Sequence, residues 1–284
     1  MKSPLLLSLA FTLFAVATVH AEGPTSTQAD TLKDIPYKTG DSLSDYEKER
    51  CKLDVYLPKG HPGFATMVWF HGGGLTGGNK NGGKMAVSLA QSGVAVVMVN
   101  YRLSPKATYP AYIQDAAAAF AWTKQHIAEH GGDATRVFVG GHSAGGYLAL
   151  MLGLDPQYLK AVGLELSSIA GLIPISGQTM THYTVRGERG VGMYSITADE
   201  AAPVHYARKD TPPFLVLYAD HDMAARAEEN AYFVAIMKAA GNKSITGKLI
   251  TDRTHGTIAG KISEENDPAR VAMLEFIEHT AGGK

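Results

Sequence analysis

Continuous apolar runs recur along the chain and predict a buried sheet. They occupy residues 65–70, 94–99, 136–140, 170–175 and 214–217. Runs of this kind are typical of parallel strands that are covered on both faces. Leu249 and Ile250 are interpreted as part of a last strand. Residues 52–57 alternate polar and apolar positions and stop at Pro58, which predicts a half-buried strand near a sheet edge.

Segments with helical periodicity separate the apolar runs. These segments cover residues 82–91, 112–130, 143–152, 224–240 and 268–280. Regular alternation of strands and helices predicts an α/β fold with a mostly parallel, doubly wound central sheet flanked by helices. Folds of this class carry their active sites on loops at the carboxyl ends of the strands. We therefore expect the functional residues to lie on those loops.

The N-terminal 21 residues have the pattern of a signal peptide. Lys2 precedes an apolar run at residues 5–19, and Val19-His20-Ala21 provides a cleavage site. A membrane anchor is the alternative, but the run is short for a span of ~20 residues. Residues 1–21 are expected to be removed on export to the periplasm or medium. Residues 22–34 are interpreted as a flexible mature N-terminus, and residues 35–284 as one α/β domain.

Composition narrows the classes of partner. The net charge is −1 and only 19% of residues are charged, which argues against binding of nucleic acid or anionic lipid. No stable membrane insertion is expected of the mature chain. Cys51 is the single cysteine and is interpreted as a small apolar filler. The oligomeric state stays open, with a homodimer as one alternative.

The sequence GHSAGG at residues 141–146 contains the candidate nucleophile. It matches G-x-S-x-G, follows the apolar strand at 136–140 and opens an apolar helix, which is the context that this motif requires. A sharp strand-to-helix turn strains the serine backbone, and Gly141 and Gly145 leave room around it. We therefore predict that Ser143 is the nucleophile. Neighbouring His142 is expected to pack or to line the substrate site.

A second glycine motif, HGGG at residues 71–74, follows the strand at 65–70. Acyl transfer builds negative charge on a carbonyl oxygen, and fixed backbone N–H groups stabilise that charge. We assign this role to the N–H groups of Gly73, Gly74 and Ala144. A phosphate-binding loop is the competing interpretation, but no G-K-[ST] ending follows the glycines here.

A serine nucleophile needs a base and an acid that orients the base. In the order Ser, acid, His, His255 is the best base because it follows the last predicted strand, in a loop. Asp220 and Asp222 both follow the strand at 214–217. We prefer Asp222 as the acid and expect Asp220 to fix the turn through backbone hydrogen bonds. No cofactor and no metal is expected, since the histidines lack paired ligand spacing.

These motifs, together with NYRLSP at 100–105 and YADHD at 218–222, resemble the bacterial hormone-sensitive-lipase-like carboxylesterases. They also resemble the related feruloyl-esterase-like and kynurenine-formamidase-like hydrolases. The resemblance covers roughly residues 53–277 and implies an α/β-hydrolase fold. It also implies that Asp115 is structural. Many relatives carry Trp where this chain has Leu75, and residues 177–202 leave room for at most a small lid.

The expected function is hydrolysis of small acyl or acetyl esters by a serine carboxylesterase through an acyl-enzyme. An open site with a short lid favours small-molecule esters over long-chain lipids. Two alternatives remain open. The first is an amide, formamide or peptide hydrolase that uses the same three residues. The second is a non-catalytic binding protein on the same fold, which would not need an intact Ser-Asp-His set.

Overall fold

The computed structural model describes residues 29–60 and 62–282 and forms one mixed sheet there. Eight strands lie in the order β1-β2-β4-β3-β5-β6-β7-β8. Strand β2 pairs antiparallel with both β1 and β4, and every other pairing is parallel. The strands are β1 (Asp30–Pro36), β2 (Lys52–Leu57), β3 (Phe64–Phe70), β4 (Ala95–Val99), β5 (Gly132–His142), β6 (Leu172–Ile175), β7 (Phe214–His221) and β8 (Ile245–Thr254).

Helices cover both faces of this sheet. In the part of the chain that the structure describes they are α1 (Asp45–Arg50), α2 (Gly83–Gln91), α3 (Ala111–His126), α4 (Ala144–Leu154), α5 (Pro156–Lys160), α6 (Tyr183–Glu188), α7 (Arg226–Ala239), α8 (His255–Gly260) and α9 (Pro268–Gly282). Helices α3, α4 and α7 pack on one face, and α2, α8 and α9 on the other. The central strands are continuous apolar runs because both of their faces are buried.

The α/β fold expected from the sequence is confirmed. All five longer predicted helices are present, with bounds that shift by a few residues. No helix among the described residues has the length and apolar content that a membrane crossing requires.

The prediction for the N-terminal region is partly wrong. Residues 30–34, expected to be flexible, belong to β1, and the sheet therefore begins before residue 35. Leu32 pairs with Val55 and Ile35 with Leu53, so β1 is held by the backbone of β2. The signal peptide at 1–21 and the rest of the flexible segment, residues 22–28, lie outside the described residues.

Two further local predictions need correction. Strand β2 is one position inside the sheet edge, because β1 covers it, and four of its six residues are buried. His255 does not lie in a loop but opens helix α8. Thr254 caps that helix by accepting a hydrogen bond from the N–H of Thr257, an arrangement that satisfies a backbone donor at the helix start.

The topology brings three strand ends together. Strands β5, β6, β7 and β8 are consecutive neighbours and run parallel, so their carboxyl ends meet at one edge of the sheet. Ser143 follows β5, Asp222 follows β7 and His255 follows β8. Each of the three predicted residues therefore leaves the sheet at the same edge, where folds of this class place their sites.

Candidate active site

Ser143 lies on a strained turn between β5 and α4. Its φ is +56° and its ψ is −118°, a conformation that a non-glycine residue rarely adopts. The turn is closely packed, since a Cβ placed on Gly145 would lie 1.9 Å from the carbonyl oxygen of Phe70. Only glycine fits there. The strain predicted for the nucleophile and the room predicted at Gly145 are both present in the structure.

Ser143, His255 and Asp222 form a continuous hydrogen-bonded chain. Oγ of Ser143 lies 2.9 Å from Nε2 of His255, and Nδ1 of His255 lies 2.5 Å from Oδ1 of Asp222. A carboxylate only accepts, so Nδ1 carries the proton and Nε2 presents its lone pair to the serine hydroxyl. That tautomer is the one that a general base needs.

Asp222 is held as a carboxylate. Its side chain is 1% exposed, and this burial alone would raise its pKa. Hydrogen bonds from His255, from Oγ of Ser176 at 2.5 Å and from the N–H of Met223 at 2.8 Å outweigh that effect and lower the pKa below its ordinary value. The acid is therefore ionised over the whole neutral range.

Asp220, the alternative candidate for the acid, has a different role. Its carboxylate accepts from the N–H of Asp252 at 2.9 Å and of Arg253 at 3.0 Å. These bonds join the end of β7 to the last residues of β8, directly before His255. They also hold the pKa of Asp220 well below its usual range. The structure thus brings Asp222 to the base and gives Asp220 the turn-fixing contacts expected of it.

The glycine loop after β3 runs against the nucleophile turn. A Cβ on Gly72 would lie 3.3 Å from Cβ of Ser143. Gly73 and Gly74 have φ values of +111° and +63°, which the absence of a side chain makes accessible. Among the described residues, the N–H groups of Gly73, Gly74 and Ala144 have no hydrogen-bond partner. They are therefore available to a substrate oxygen.

His142 packs against the base. Its Nε2 donates to the carbonyl oxygen of His255 at 2.7 Å, and the two ring centroids lie 4.6 Å apart. Burial, with the charge of His255 as a smaller cause, lowers the pKa of His142 to about 4. The ring is neutral at pH 7, so it adds no second positive charge beside an imidazolium. Packing of His142 was predicted from the sequence, but its hydrogen bond to the backbone of His255 was not.

Two contacts were missed at the sequence level. Ser176 is fully buried, has a φ of +48° and donates to the second oxygen of Asp222. Thr184, in α6, donates through Oγ1 to the carbonyl oxygen of Gly74 at 2.5 Å. Both depend on which strand ends become neighbours, and neither residue belongs to a motif. The only available signal for Ser176 was its position directly after a buried strand.

Other charged residues near these motifs are structural or scattered. Asp115 is fully buried and accepts three hydrogen bonds from Arg102 and one from Lys38, which agrees with the structural role that the resemblance implied. Within the described ranges, no three His, Cys, Asp or Glu side chains are grouped as metal ligands would be.

Residues 53–168 match the family model described as BD-FAE. The match contains the glycine loop and Ser143 but ends before Asp222 and His255. A solved structure described as a truncated form of carbohydrate esterase from gut microbiota superposes with a TM-score of 0.74. That superposition covers 92% of this chain and 99% of the other, at 20% identity. This chain has the α/β-hydrolase fold. The fold implied by the motifs is confirmed.

Curated relatives of this chain are named as esterases. A probable carboxylic ester hydrolase, LipM of Mycobacterium tuberculosis, is 32% identical over 57% of this chain and 42% of its own length. Esterase LipQ of the same organism is 25% identical over 83% of this chain and 59% of its own length. The chain thus spans about half the length of these relatives. The resemblance to esterases of this fold is confirmed.

Proposed function

We propose that this α/β-hydrolase is a serine carboxylesterase that hydrolyses small-molecule esters through an acyl-enzyme. The observation that carries the proposal is the chain of hydrogen bonds from Ser143 through His255 to Asp222, at 2.9 and 2.5 Å. The esterase names of the relatives support ester rather than other acyl substrates.

The first half-reaction follows from the geometry. His255 takes the proton of Ser143 through Nε2 as Oγ attacks the ester carbonyl carbon. The N–H groups of Gly73, Gly74 and Ala144 stabilise the negative charge that forms on the carbonyl oxygen. His255 then gives its proton to the leaving alcohol oxygen, the C–O bond breaks and the acyl group remains on Ser143.

The second half-reaction restores the enzyme. A water molecule gives a proton to His255 and attacks the acyl carbon. The bond from this carbon to Oγ of Ser143 then breaks as His255 returns the proton to Oγ, which releases the carboxylic acid and free Ser143. Asp222 stays ionised throughout because its pKa is lowered. It holds the ring of His255 in position and stabilises the imidazolium.

The test compares esters with matched amides. The purified protein is assayed on p-nitrophenyl acetate and butyrate and on the corresponding p-nitroanilides. We expect ester turnover that Ser143→Ala reduces by a factor of roughly 10⁴ or more, with anilide turnover far slower. Faster hydrolysis of the anilides would favour the amidase alternative. Ester turnover unchanged in Ser143→Ala would contradict both enzyme readings.

Export is a separate part of the proposal and rests on the pattern of residues 1–21. The full chain is expressed in a bacterium, and the periplasmic fraction is analysed by N-terminal sequencing. We expect a mature chain that begins at Glu22. Uncleaved protein in the cytoplasmic fraction would contradict export.

A further inference from the structure

A groove lies between the lid segment, residues 177–202, and the start of α7. Its volume is about 670 Å³, within the range of roughly 300–1,000 Å³ that is typical of sites for small organic ligands. Apolar side chains make up most of its wall. They are Met180, Met193, Tyr194, Ile196, Met223 and Tyr232. We call this space the lid groove.

The lid groove gathers most of the exposed apolar side chains. Seven large apolar residues are exposed in the described part of the chain, and five of them line this one space. Tyr194 and Ile196 are 93% and 91% exposed. Single exposed apolar residues need no explanation, but a contiguous cluster marks a surface that binds something.

Residues of the groove wall contact the acid on one side and the glycine loop on the other. On the α7 side, the N–H of Met223 donates to the carboxylate of Asp222 at 2.8 Å. On the lid side, the hydroxyl of Tyr183 lies against Gly74, since a Cβ on that glycine would be 2.0 Å from it. Thr184 fixes this contact through its hydrogen bond to Gly74. The groove wall is thus joined to the acid through Met223 and to the glycine loop through Tyr183.

The two arginines that line the groove, Arg186 and Arg226, both donate to backbone carbonyl oxygens. Arg226 donates to the carbonyl oxygen of Ser176 at 2.7 Å and lies 3.6 Å from Glu229. Arg186 donates to the carbonyl oxygens of Thr181 and Met193. Both arginines are buried, at 7% and 5% exposure, and most of the groove's wall is apolar, so the groove favours an uncharged group.

We propose that the lid groove binds the larger, uncharged apolar group of the ester substrate, and this inference rests on the proposed esterase function. Thioether and phenol side chains fit flat or branched groups well, because Met adapts its shape and Tyr offers an aromatic face. The groove therefore makes this enzyme selective for esters in which one group, acyl or alcohol, is a ring or a branched chain of several carbons.

The test uses two series of uncharged esters. In the acyl series, p-nitrophenyl acetate is compared with p-nitrophenyl butyrate, cyclohexanecarboxylate and phenylacetate. In the alcohol series, ethyl acetate is compared with cyclohexyl, benzyl and 2-naphthylmethyl acetates. We expect kcat/KM to rise by roughly tenfold or more from the smallest to the largest group in one series. The series that rises shows which group the groove holds.

Variants then test whether residues of the lid groove cause this preference for large esters. In Tyr194→Ser combined with Ile196→Ser, we expect kcat/KM to fall several-fold more for the largest ester than for the acetate. The matched control is Leu249→Ser, which also removes an exposed apolar side chain but lies outside the groove. We expect its preference to equal that of the wild type. A negatively charged ester, such as the p-nitrophenyl half-ester of succinic acid, should show no rise in kcat/KM over the acetate.

The possible outcomes distinguish failure of the groove proposal from failure of the proposed esterase function. A preference for large uncharged groups that the lid variants remove and the control keeps supports the proposal. Hydrolysis of acetates without a rise in either series, or an equal loss on all esters in the lid variants, would overturn the groove proposal and leave the esterase function standing. Failure to hydrolyse every ester would overturn both.

Discussion

The two sides of Ser143 are built differently. On the side of Asp222 and His255, the acid is buried and the three residues are joined by hydrogen bonds at 2.5 to 2.9 Å. On the side of the lid groove, the walls are thioethers, phenols and aliphatic carbons, and Tyr194 is 93% exposed. One region fixes a few atoms in place, and the other offers an adaptable surface.

This difference suggests two separate roles: the hydrogen-bonded residues carry out the reaction, and the groove selects the substrate. A hydrogen-bonded chain must hold its atoms to within a fraction of an ångström, because proton transfer depends on distance and tautomer. An apolar surface gains free energy from the area that it buries and depends little on direction. Changes on the first side should therefore lower kcat on every substrate, whereas changes in the groove should alter the ranking of substrates.

The largest effect should come from the acid. In Asp222→Asn, the amide no longer fixes the correct tautomer of His255, and we expect kcat to fall by roughly 10⁴-fold. Steady-state kinetics on p-nitrophenyl acetate measures this loss. The matched control is Asp220→Asn, two residues away, which should lower kcat far less. Similar losses in the two variants would contradict the division of roles between these carboxylates.

A change in stability with pH should follow from His142. Burial lowers its pKa to about 4 in the folded protein, against about 6.5 in an unfolded chain. Between these values the unfolded chain binds a proton that the folded one excludes, so the free energy of unfolding falls by up to about 3 kcal/mol as the pH drops. Buried His71, whose pKa is also lowered to about 4, acts in the same direction.

Urea unfolding at pH 7, 5.5 and 4.5 measures this dependence. We expect His142→Asn to lose a substantial part of the decrease, with the remainder left to His71 and to His182, where burial also lowers the pKa. Exposed His205 supplies the control, because His205→Asn should keep the full decrease seen in the wild type. A pH dependence that is the same in all three proteins would show that His142 does not exclude a proton.

A smaller effect is expected at Ser176. Loss of its hydroxyl removes one of the hydrogen bonds that hold Asp222, and we expect kcat to fall by roughly tenfold with little change in KM. Ser176→Ala and Ser176→Gly both remove the hydroxyl, but only glycine relieves the backbone at φ +48°. Equal losses in kcat would assign the effect to the hydrogen bond. A loss in one variant alone would assign it to the backbone.

The same contrast explains what could be predicted from the sequence. Ser143, Asp222 and His255 each follow a strand directly, so strand patterns and chain order were enough to select them. Strand β1 was missed because its sequence is mostly polar and its pairing with β2 is made by the backbone. Helix α8 was missed because a six-residue helix with a glycine at its second position has no periodic signal.

The lid groove could not be predicted from the sequence at all. Its walls come from residues 178–196 and 223–232, which share no motif and lie some thirty residues apart. An exposed Tyr or Ile in a loop looks the same in the sequence whether or not others gather around it. Only the packing of α6 against the glycine loop, through Thr184 and Gly74, shows where the groove opens.

Covalent labelling tests the central claim most directly. The wild-type protein and Ser143→Ala are treated with a small fluorophosphonate, digested and analysed by mass spectrometry. The account predicts a stoichiometric phosphonyl adduct on the peptide that contains Ser143, loss of esterase activity in step with labelling, and no adduct in Ser143→Ala. An unlabelled Ser143 in active protein, or equal labelling of Ser143→Ala at another residue, would contradict it.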